Sequence, residues 1–208
     1  MRIKLGITCM VLGAAMILGA LALFLYNESE AAAADEAAAD RLAQIVDTIG
    51  QRQESGEAQH NDTSNIPLEF LTPEDLEMTE VEINGYGYIG YITIPSLQLE
   101  LPVMADWDYP RLKIAPCRMA GTLRGEDLVL MAHNYDRHFG RLSKLKMGEN
   151  VVFTDMDGVV TVYEVVGQDI LAPTAVEEMT AGDFDLTLFT CTYGGKSRVT
   201  VYCDIIKN

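Results

Sequence analysis

The pattern of apolar and polar positions divides the chain into an apolar start, a polar middle and a long alternating remainder. From Leu5 to Leu25 the sequence holds 21 residues without a charge. As an α-helix with a rise of about 1.5 Å per residue, this run is about 31 Å long, close to the thickness of the hydrocarbon core of a bilayer. We therefore predict a transmembrane helix over residues 5–25, which makes the lipid bilayer the first expected partner.

The charges that flank this run predict its orientation. Arg2 and Lys4 precede it, whereas the charged residues that follow it closely are acidic. Because Lys and Arg favour the cytoplasmic side, we expect a cytoplasmic N-terminus, with everything after Tyr26 extracellular. The alternative is a cleaved signal peptide with a small-residue site at Ala20–Ala22, but the apolar run is longer than the apolar region of such peptides.

Two polar segments follow the apolar run. Residues 28–49 are rich in Ala, Glu and Asp, a composition with high helix propensity and little to bury, so we predict a stalk helix. Residues 50–65 contain no Leu, Val, Ile or aromatic residue, which predicts a flexible linker in which His60 is polar filler. The predicted organisation is a cytoplasmic N-terminus and anchor at 1–27, a helical stalk and linker at 28–77, and a compact domain at 78–208.

The compact domain is dominated by short segments that alternate between apolar and polar residues or are apolar throughout. Such segments, separated by turn residues, are typical of β-strands. The predicted strands are Tyr88–Ile94, Gln98–Met104, Asp127–Ala132, Asn150–Asp155, Val159–Ile170, Asp185–Cys191 and Arg198–Ile206.

Two short helical segments interrupt these strands. Phe139, Leu142 and Leu145 recur at a spacing of three, and Thr174 with Glu177 forms a capping-box pattern. Many strands with short connections and brief helices are typical of a closed or nearly closed β-barrel, so the predicted fold class is all-β.

Charge and cysteine content exclude several classes of function. The formal net charge of -16 argues against nucleic acid as a partner and against a polybasic contact with anionic lipid. The four cysteines show no C-x-x-C spacing, so neither a disulfide scaffold nor a zinc site is predicted. Cys9 lies inside the membrane run, where we expect it to be inert.

Cys191 closes a predicted strand and is the candidate nucleophile. Gly194 and Gly195 mark a turn, after which the next strand starts at Arg198, so a hairpin brings Arg198 close to Cys191. Attack of a thiolate on a carbonyl creates an oxyanion, which a guanidinium can stabilise. The alternative for Arg198 is a surface arginine paired with a carboxylate. Cys203 lies five positions beyond Arg198, so a regular strand turns it to the opposite face, as a core or surface thiol.

A nucleophilic thiol also needs a base, and the chain offers three histidines. His60 lies in the predicted linker. His133 ends an apolar strand, where it can face a cleft, whereas His138 lies in the polar turn that follows. We therefore take His133 as the candidate acid/base for Cys191, with a purely structural histidine as the alternative.

At this point the chain resembles the sortase family. Residues 187–191, TLFTC, match the TLxTC signature of sortases, and Arg198 follows at a suitable spacing. His133 lies upstream, where the catalytic histidine of sortases lies, and residues 90–95 (GYITIP) resemble the start of their barrel. The resemblance covers about residues 85–206.

The resemblance implies a closed sortase-type barrel with short helices, on the outer face of a Gram-positive-type membrane. It implies a cysteine transpeptidase, in the peptidase class, that cleaves an LPxTG-like sorting signal after its Thr. Cys191 would attack the Thr carbonyl, His133 would exchange protons with the departing and incoming amines, and Arg198 would hold the substrate backbone and the oxyanion. The implied partners are surface proteins with such a signal and an amine from a peptidoglycan precursor or a pilin. No cofactor is implied.

Departures from the family patterns leave the subclass open. A lid with a DPW-like motif would precede the barrel, whereas ADWDYP at 105–110 follows the first strands. The segment 164–191 is too short for the long extra helix of class B enzymes. Some class A members bind calcium through acidic loops, and the candidates here are Glu177, Glu178, Asp183 and Asp185. Solvated acidic residues are the simpler interpretation, so we predict no metal.

Other thiol enzymes fit the residue order less well. Papain-like and cell-wall endopeptidase folds place the cysteine before the histidine, whereas here His133 precedes Cys191. An L,D-transpeptidase would show a Ser-x-Gly-Cys-type motif, which residues 189–191 do not match. The alternative of a different class is a non-catalytic, membrane-anchored scaffold module of the envelope.

Overall fold

The computed structural model describes residues 2–56 and 72–207 of the chain. In these residues the α-helices are α1 (Arg2–Ser55), α2 (Pro73–Leu76), α3 (Tyr109–Leu112) and α4 (Val176–Met179). The strands are β1 (Val81–Ile83), β2 (Tyr86–Ile94), β3 (Leu99–Met104), β4 (Cys117–Ala120), β5 (Leu128–Ala132), β6 (Asn150–Asp155), β7 (Val160–Leu171), β8 (Leu186–Cys191) and β9 (Arg198–Ile205). Short 3₁₀ segments lie at Pro95–Leu97, Phe139–Lys144 and Tyr193–Gly195.

Eight of the described strands close into a barrel. They follow the order β2-β3-β4-β5-β8-β9-β7-β6, and β6 also pairs with β2, so the sheet returns to its start. β1 forms a hairpin with β2 outside this ring. Closure leaves the ring without a free edge. The predicted all-β fold class with a closed barrel is therefore confirmed.

Each predicted strand is present, with its ends within two residues of the prediction. The sequence pattern does not predict β1 and β4, because three and four residues offer too few positions for alternation. The spacing of three from residue 139 to 145 corresponds to a 3₁₀ helix, in which every third side chain shares one face. The capping box at Thr174 is wrong, because α4 has Ala175 at its N-cap and no side-chain cap.

The second half of α1 packs against the outside of the barrel. Ala34, Ala38, Ile45 and Ile49 are buried, and the two isoleucines join a cluster with residues from β1 to β4 and from α3. Burying one isoleucine contributes about 1.5–3 kcal/mol. The helix predicted for residues 28–49 is present, but the prediction that these residues have little to bury is wrong.

Ion pairs fix α1 against the barrel along its length. They are Glu30–Lys113 (2.7 Å), Asp35–Arg137 (2.8 Å) and Arg52–Asp157 (2.9 Å). α1 continues to Ser55, past the predicted start of the linker at residue 50. The rest of the predicted linker, residues 57–65 with His60, lies outside the described residues. The domain boundaries at 27 and 77 stay predictions.

The first half of α1 is apolar and exposed. By length and composition it could cross a bilayer, which is compatible with the predicted single-pass anchor. Exposed side chains there include Ile7, Met10, Leu18, Leu23 and Phe24.

Candidate active site

Three adjacent strands bring His133, Cys191 and Arg198 together at one end of the barrel. β5 and β8 pair in parallel with Ala132 opposite Thr190, so His133 and Cys191 are the next residues along the two strands. The Thr190 hydroxyl donates to the Ala132 carbonyl at 2.9 Å and ties the strands at this point. β8 and β9 pair antiparallel with Cys191 opposite Arg198. Since paired strands lie about 4.7–4.9 Å apart, the three backbone positions are neighbours.

The strand positions of the site face away from the barrel interior. In β8 the interior positions include Leu188, so Cys191, three residues on, faces outward. In β9 the interior positions include Cys203, so Arg198 faces outward as well. The prediction that Cys203 lies on the face opposite to Arg198 is confirmed, and Cys203 is a core thiol.

Asn134 holds the ring of His133. Nδ1 of His133 lies 3.0 Å from the backbone nitrogen of Asn134 and 3.0 Å from its side-chain oxygen Oδ1. When Nδ1 carries the ring proton, it donates to Oδ1, and the neutral ring then has its free lone pair on Nε2. The backbone N–H of Asn134 donates to Nδ1 only in the other neutral tautomer. Both contacts use Nδ1, so Nε2 is the atom available for proton transfer.

A stack of aromatic rings supports His133. The rings of His133 and Tyr135 are nearly parallel, with 4.1 Å between centroids, and Tyr135 in turn lies 5.5 Å from the ring of His138. His138 is fully buried, and in the described part of the chain neither of its ring nitrogens has a hydrogen-bond partner. Burial, with a smaller contribution from the charge of His133, lowers the pKa of His138 to about 4. His138 is therefore neutral and shielded at pH 7, whereas His133 is partly exposed.

Arg198 is held by the turn that separates it from Cys191. Its Nη1 donates to the carbonyl oxygens of Gly195 at 3.2 Å and of Ser197 at 3.1 Å. The turn is closed by the Ser197 N–H, which donates to the hydroxyl of Thr192 at 3.1 Å. Within the described residues, Arg198 forms no ion pair with a carboxylate.

The remaining thiols outside the apolar half of α1 are buried. Cys117 packs in the cluster beneath α1 and Cys203 in the barrel core. Burial raises the pKa of each of these thiols to about 12, so both stay protonated at physiological pH. Cys191 is partly exposed, which leaves it as the accessible thiol of the barrel.

An apolar cluster lies on the outer face of the barrel wall beside the site. Its buried members are Val129 of β5, Phe189 of β8 and Met179 of α4, which covers the other two. Partly buried side chains extend it, and they are Met119, Ala120, Met131 and Leu171. Leu171 is opposite Arg198 in the pairing of β7 with β9, so the outer apolar cluster reaches the site.

Two cavities open at this end of the barrel. One, of about 280 Å³, is lined by residues that include Cys191, Tyr193, Asn134, Gly140 and Ser143. The other, of about 380 Å³, is lined by His133 and Tyr193 and by α1 residues between 24 and 31. α1 therefore forms one wall of the site, which the interpretation of residues 28–49 as a stalk does not predict.

Comparison with known proteins gives the following similarities. A family model described as Sortase domain matches residues 92–206, more than half of the 208 residues. No curated protein matches the chain. Sortase C1 from Streptococcus suis is 28% identical with a TM-score of 0.50, over 58% of this chain and 74% of that chain.

Two further solved structures cover more of the chain. Streptococcus pneumoniae sortase C is 22% identical with a TM-score of 0.60, over 81% of this chain and 97% of that chain. Clostridium perfringens sortase C, solved with the C-terminal cell wall sorting motif, is 24% identical with a TM-score of 0.53, over 81% of this chain and 91% of that chain. At these identities the structural likeness shows the fold and does not assign a subclass.

Proposed function

The chain belongs to the sortase family, and from this premise we propose that it is a membrane-anchored cysteine transpeptidase whose reacting groups are Cys191, His133 and Arg198. Strand pairing is the observation that carries the choice of these residues, because Cys191 is opposite Arg198 and His133 follows the residue opposite Thr190. A nucleophile, an acid/base and a fixed cation thereby share one end of the barrel.

In the first half-reaction, Cys191 forms a thioester with the substrate. Its Sγ, having given its proton to His133, attacks the carbonyl carbon of a Thr in the substrate, and the carbonyl oxygen takes up the negative charge. The guanidinium of Arg198 stabilises that oxyanion. When the intermediate collapses, the peptide bond breaks and Nε2 of His133 donates its proton to the departing amine.

In the second half-reaction, an acceptor amine attacks the thioester. A new amide bond forms, the amine gives one proton to Nε2 of His133, and the thiolate of Cys191 leaves. The pair of Cys191 and His133 then again holds one proton, which comes from the acceptor amine and replaces the one that left with the first amine, so the cycle closes without a cofactor. Asn134 keeps Nε2 free in both steps because its contacts occupy Nδ1.

The contacts of Arg198 support its role as an oxyanion donor. Two carbonyl oxygens of the turn hold Nη1, and the planar guanidinium keeps its remaining N–H donors in a fixed direction. A donor that is oriented before substrate binds does not have to be ordered during the reaction. The outer apolar cluster, next to Arg198 through Leu171, offers a surface for apolar side chains that precede the scissile bond.

The proposed substrate is an LPxTG-like sorting signal, cleaved after its Thr, with an amine from a peptidoglycan precursor or a pilin as the acceptor. The TLFTC motif at residues 187–191 supports this choice. The similar sortase C of Clostridium perfringens was solved with the C-terminal cell wall sorting motif. Residues 5–25 of α1 would form the single-pass anchor, with the N-terminus in the cytoplasm and the barrel outside.

A labelled LPxTG peptide tests the proposal. We expect intact mass spectrometry to detect a peptide thioester on the wild-type chain and on Cys117→Ala, but not on Cys191→Ala, with all three chains folded. Cys117 is a matched control because its thiol is buried and protonated. A folded wild-type chain that forms no adduct with any sorting peptide would favour the non-catalytic scaffold module.

A further inference from the structure

The length of α1 sets the distance between the predicted membrane span and the parts of the barrel that α1 contacts. It is one helix from Arg2 to Ser55, and its apolar run ends at Leu25. With a rise of about 1.5 Å per residue, Glu30 lies about 8 Å, Asp35 about 15 Å and Arg52 about 40 Å beyond Leu25 along the helix axis. A helix tilt of about 20° would shorten these heights by only about 6%.

Two ion pairs of α1 show at which heights along the helix the two ends of the barrel lie. Lys113 pairs with Glu30 at 2.7 Å, whereas Asp157, in the turn between β6 and β7, pairs with Arg52 at 2.9 Å. The two contacts are separated by about 33 Å along the helix axis. The barrel therefore stands beside α1 with its Lys113 end towards the apolar run and its Asp157 end away from it.

The catalytic groups lie at the end nearer the apolar run. The cavity lined by His133 and Tyr193 is also lined by α1 residues from Phe24 to Ala31. These α1 residues span heights from about 2 Å below to about 9 Å above Leu25. The headgroup region of a bilayer adds about 5–8 Å on each side of the hydrocarbon core. His133 and the catalytic hairpin therefore fall at the height of the lipid headgroups.

Tyr193 has the chemistry and the exposure of an interfacial side chain. It lies in the turn between Cys191 and Arg198, is 97% exposed, and lines the same cavity as Phe24. Tyrosine is enriched at membrane interfaces because its ring is apolar and its hydroxyl stays in contact with water. The net charge of -16 gives no electrostatic reason to require anionic lipid, so zwitterionic lipid should suffice.

We propose that the end of the barrel with Cys191 and His133 is seated in the headgroup layer of the bilayer that holds α1, with Tyr193 in contact with lipid. This inference rests on the proposed anchoring of residues 5–25. It deepens the proposed function, because the site then meets sorting signals and acceptor amines that are themselves held at the bilayer surface.

Tryptophan fluorescence of the full chain in vesicles tests the seating. The chain has one tryptophan, so Trp107→Phe gives a background into which a single probe is placed. Three probes are compared, Tyr193→Trp at the site, Val160→Trp at the far end of the barrel and Ile17→Trp in the apolar run. Val160 is a matched control because it is 59% exposed and close in sequence to Asp157. The vesicles are phosphatidylcholine, either unlabelled or brominated. The bromine lies on the acyl carbons nearest the headgroup for positions 160 and 193, and near the middle of the acyl chains for position 17, which lies about 12 Å below Leu25.

The seated site predicts a specific pattern of quenching. Lipid brominated at the matching depth should remove about half of the fluorescence at positions 17 and 193. Position 160 should be unchanged, since bromine quenches only at short range and this position lies far above the headgroup layer. Quenching at position 17 without quenching at 193 would overturn the seating but leave the anchor intact. Absence of quenching at position 17 would overturn the anchor, and the seating with it.

An insertion into α1 provides an independent test. Seven helix-forming residues placed between Tyr26 and Asn27 raise the barrel by about 10 Å while rotating it by only about 20°. Quenching at position 193 should then fall to the level of position 160. The ratio of turnover for a sorting peptide on a short lipid tether to turnover for the same free peptide should fall about tenfold, because a tether that cannot span the gap loses its effective concentration. An unchanged ratio would overturn the functional part of the inference.

Discussion

Replacing Ile45 with alanine measures how firmly α1 is attached to the barrel. Ile45 is fully buried in the cluster with Tyr88, Met104 and Leu112. The substitution removes three carbon atoms, worth about 0.8 kcal/mol each in transfer free energy, or about 2.4 kcal/mol. The cavity left behind adds to this, so we expect a loss of about 2–5 kcal/mol in the free energy of unfolding.

The matched control for this prediction is the next residue. Val46 is 48% exposed, and Val46→Ala should change the free energy of unfolding by less than about 0.5 kcal/mol. Both variants are measured by urea unfolding of the full chain in nanodiscs, with the fluorescence of Trp107 as the probe, because Trp107 precedes α3, which packs in the same cluster as Ile45. If Ile45→Ala and Val46→Ala shift the midpoint equally little, α1 does not pack on the barrel and does not set the height of the site above the bilayer.

Four other changes give distinct readouts. Arg198→Lys should lower kcat/KM by about 10²-fold or more, since lysine keeps the charge but not the planar fork, and a loss within threefold would leave the oxyanion to other donors. Tyr135→Ala should broaden the pH profile of kcat and lower kcat more than it raises KM, because the ring of His133 loses its support, and Tyr135→Phe should restore both. Below the usual His pKa of about 6.5, residue 138 binds a proton in the unfolded chain but stays neutral in the fold, where burial lowers the pKa of His138. The free energy of unfolding should therefore fall by about 2 kcal/mol between pH 6.5 and pH 5. In urea titrations, His138→Leu should remove that part of the fall. A chain that begins at Met78 should unfold at a lower urea concentration than one that keeps the docked part of α1, because the cluster beneath α1 is then exposed. Equal midpoints would show that the packing of α1 does not stabilise the barrel.

The hairpin of the site could be predicted from sequence because its signals are local. Strand alternation, two glycines and a second strand fix Cys191 and Arg198 as neighbours, and the observed pairing places them directly opposite each other. His133 is different, since β5 pairs with β8 in parallel across a long connection that no short-range pattern encodes. Its position at a strand end made it the candidate base, but no local signal in the sequence places it beside Cys191.

The docking of α1 could not be predicted because its signal is weak. Ala34, Ala38, Ile45 and Ile49 are separated by four, seven and four residues, which places them on one face of the helix. Two of them are alanines, and acidic residues surround all four, so the stripe does not stand out from a solvated helix.

The contact of Tyr135 with His133 could not be predicted either, because the stacking of the two rings depends on the path of a turn and not on a repeating pattern.

The position of β9 in the barrel has a consequence for biosynthesis. β9 lies between β7 and β8, yet it is the last of the described strands along the chain. Until β9 has been added to the sheet, β7 and β8 each present an open edge that only β9 can cover. The same strand brings Arg198, so a chain interrupted before residue 198 has Cys191 but cannot assemble a complete site. Completion of the proposed site is thereby coupled to the last step of barrel closure, and a chain that lacks β9 has neither a closed barrel nor Arg198.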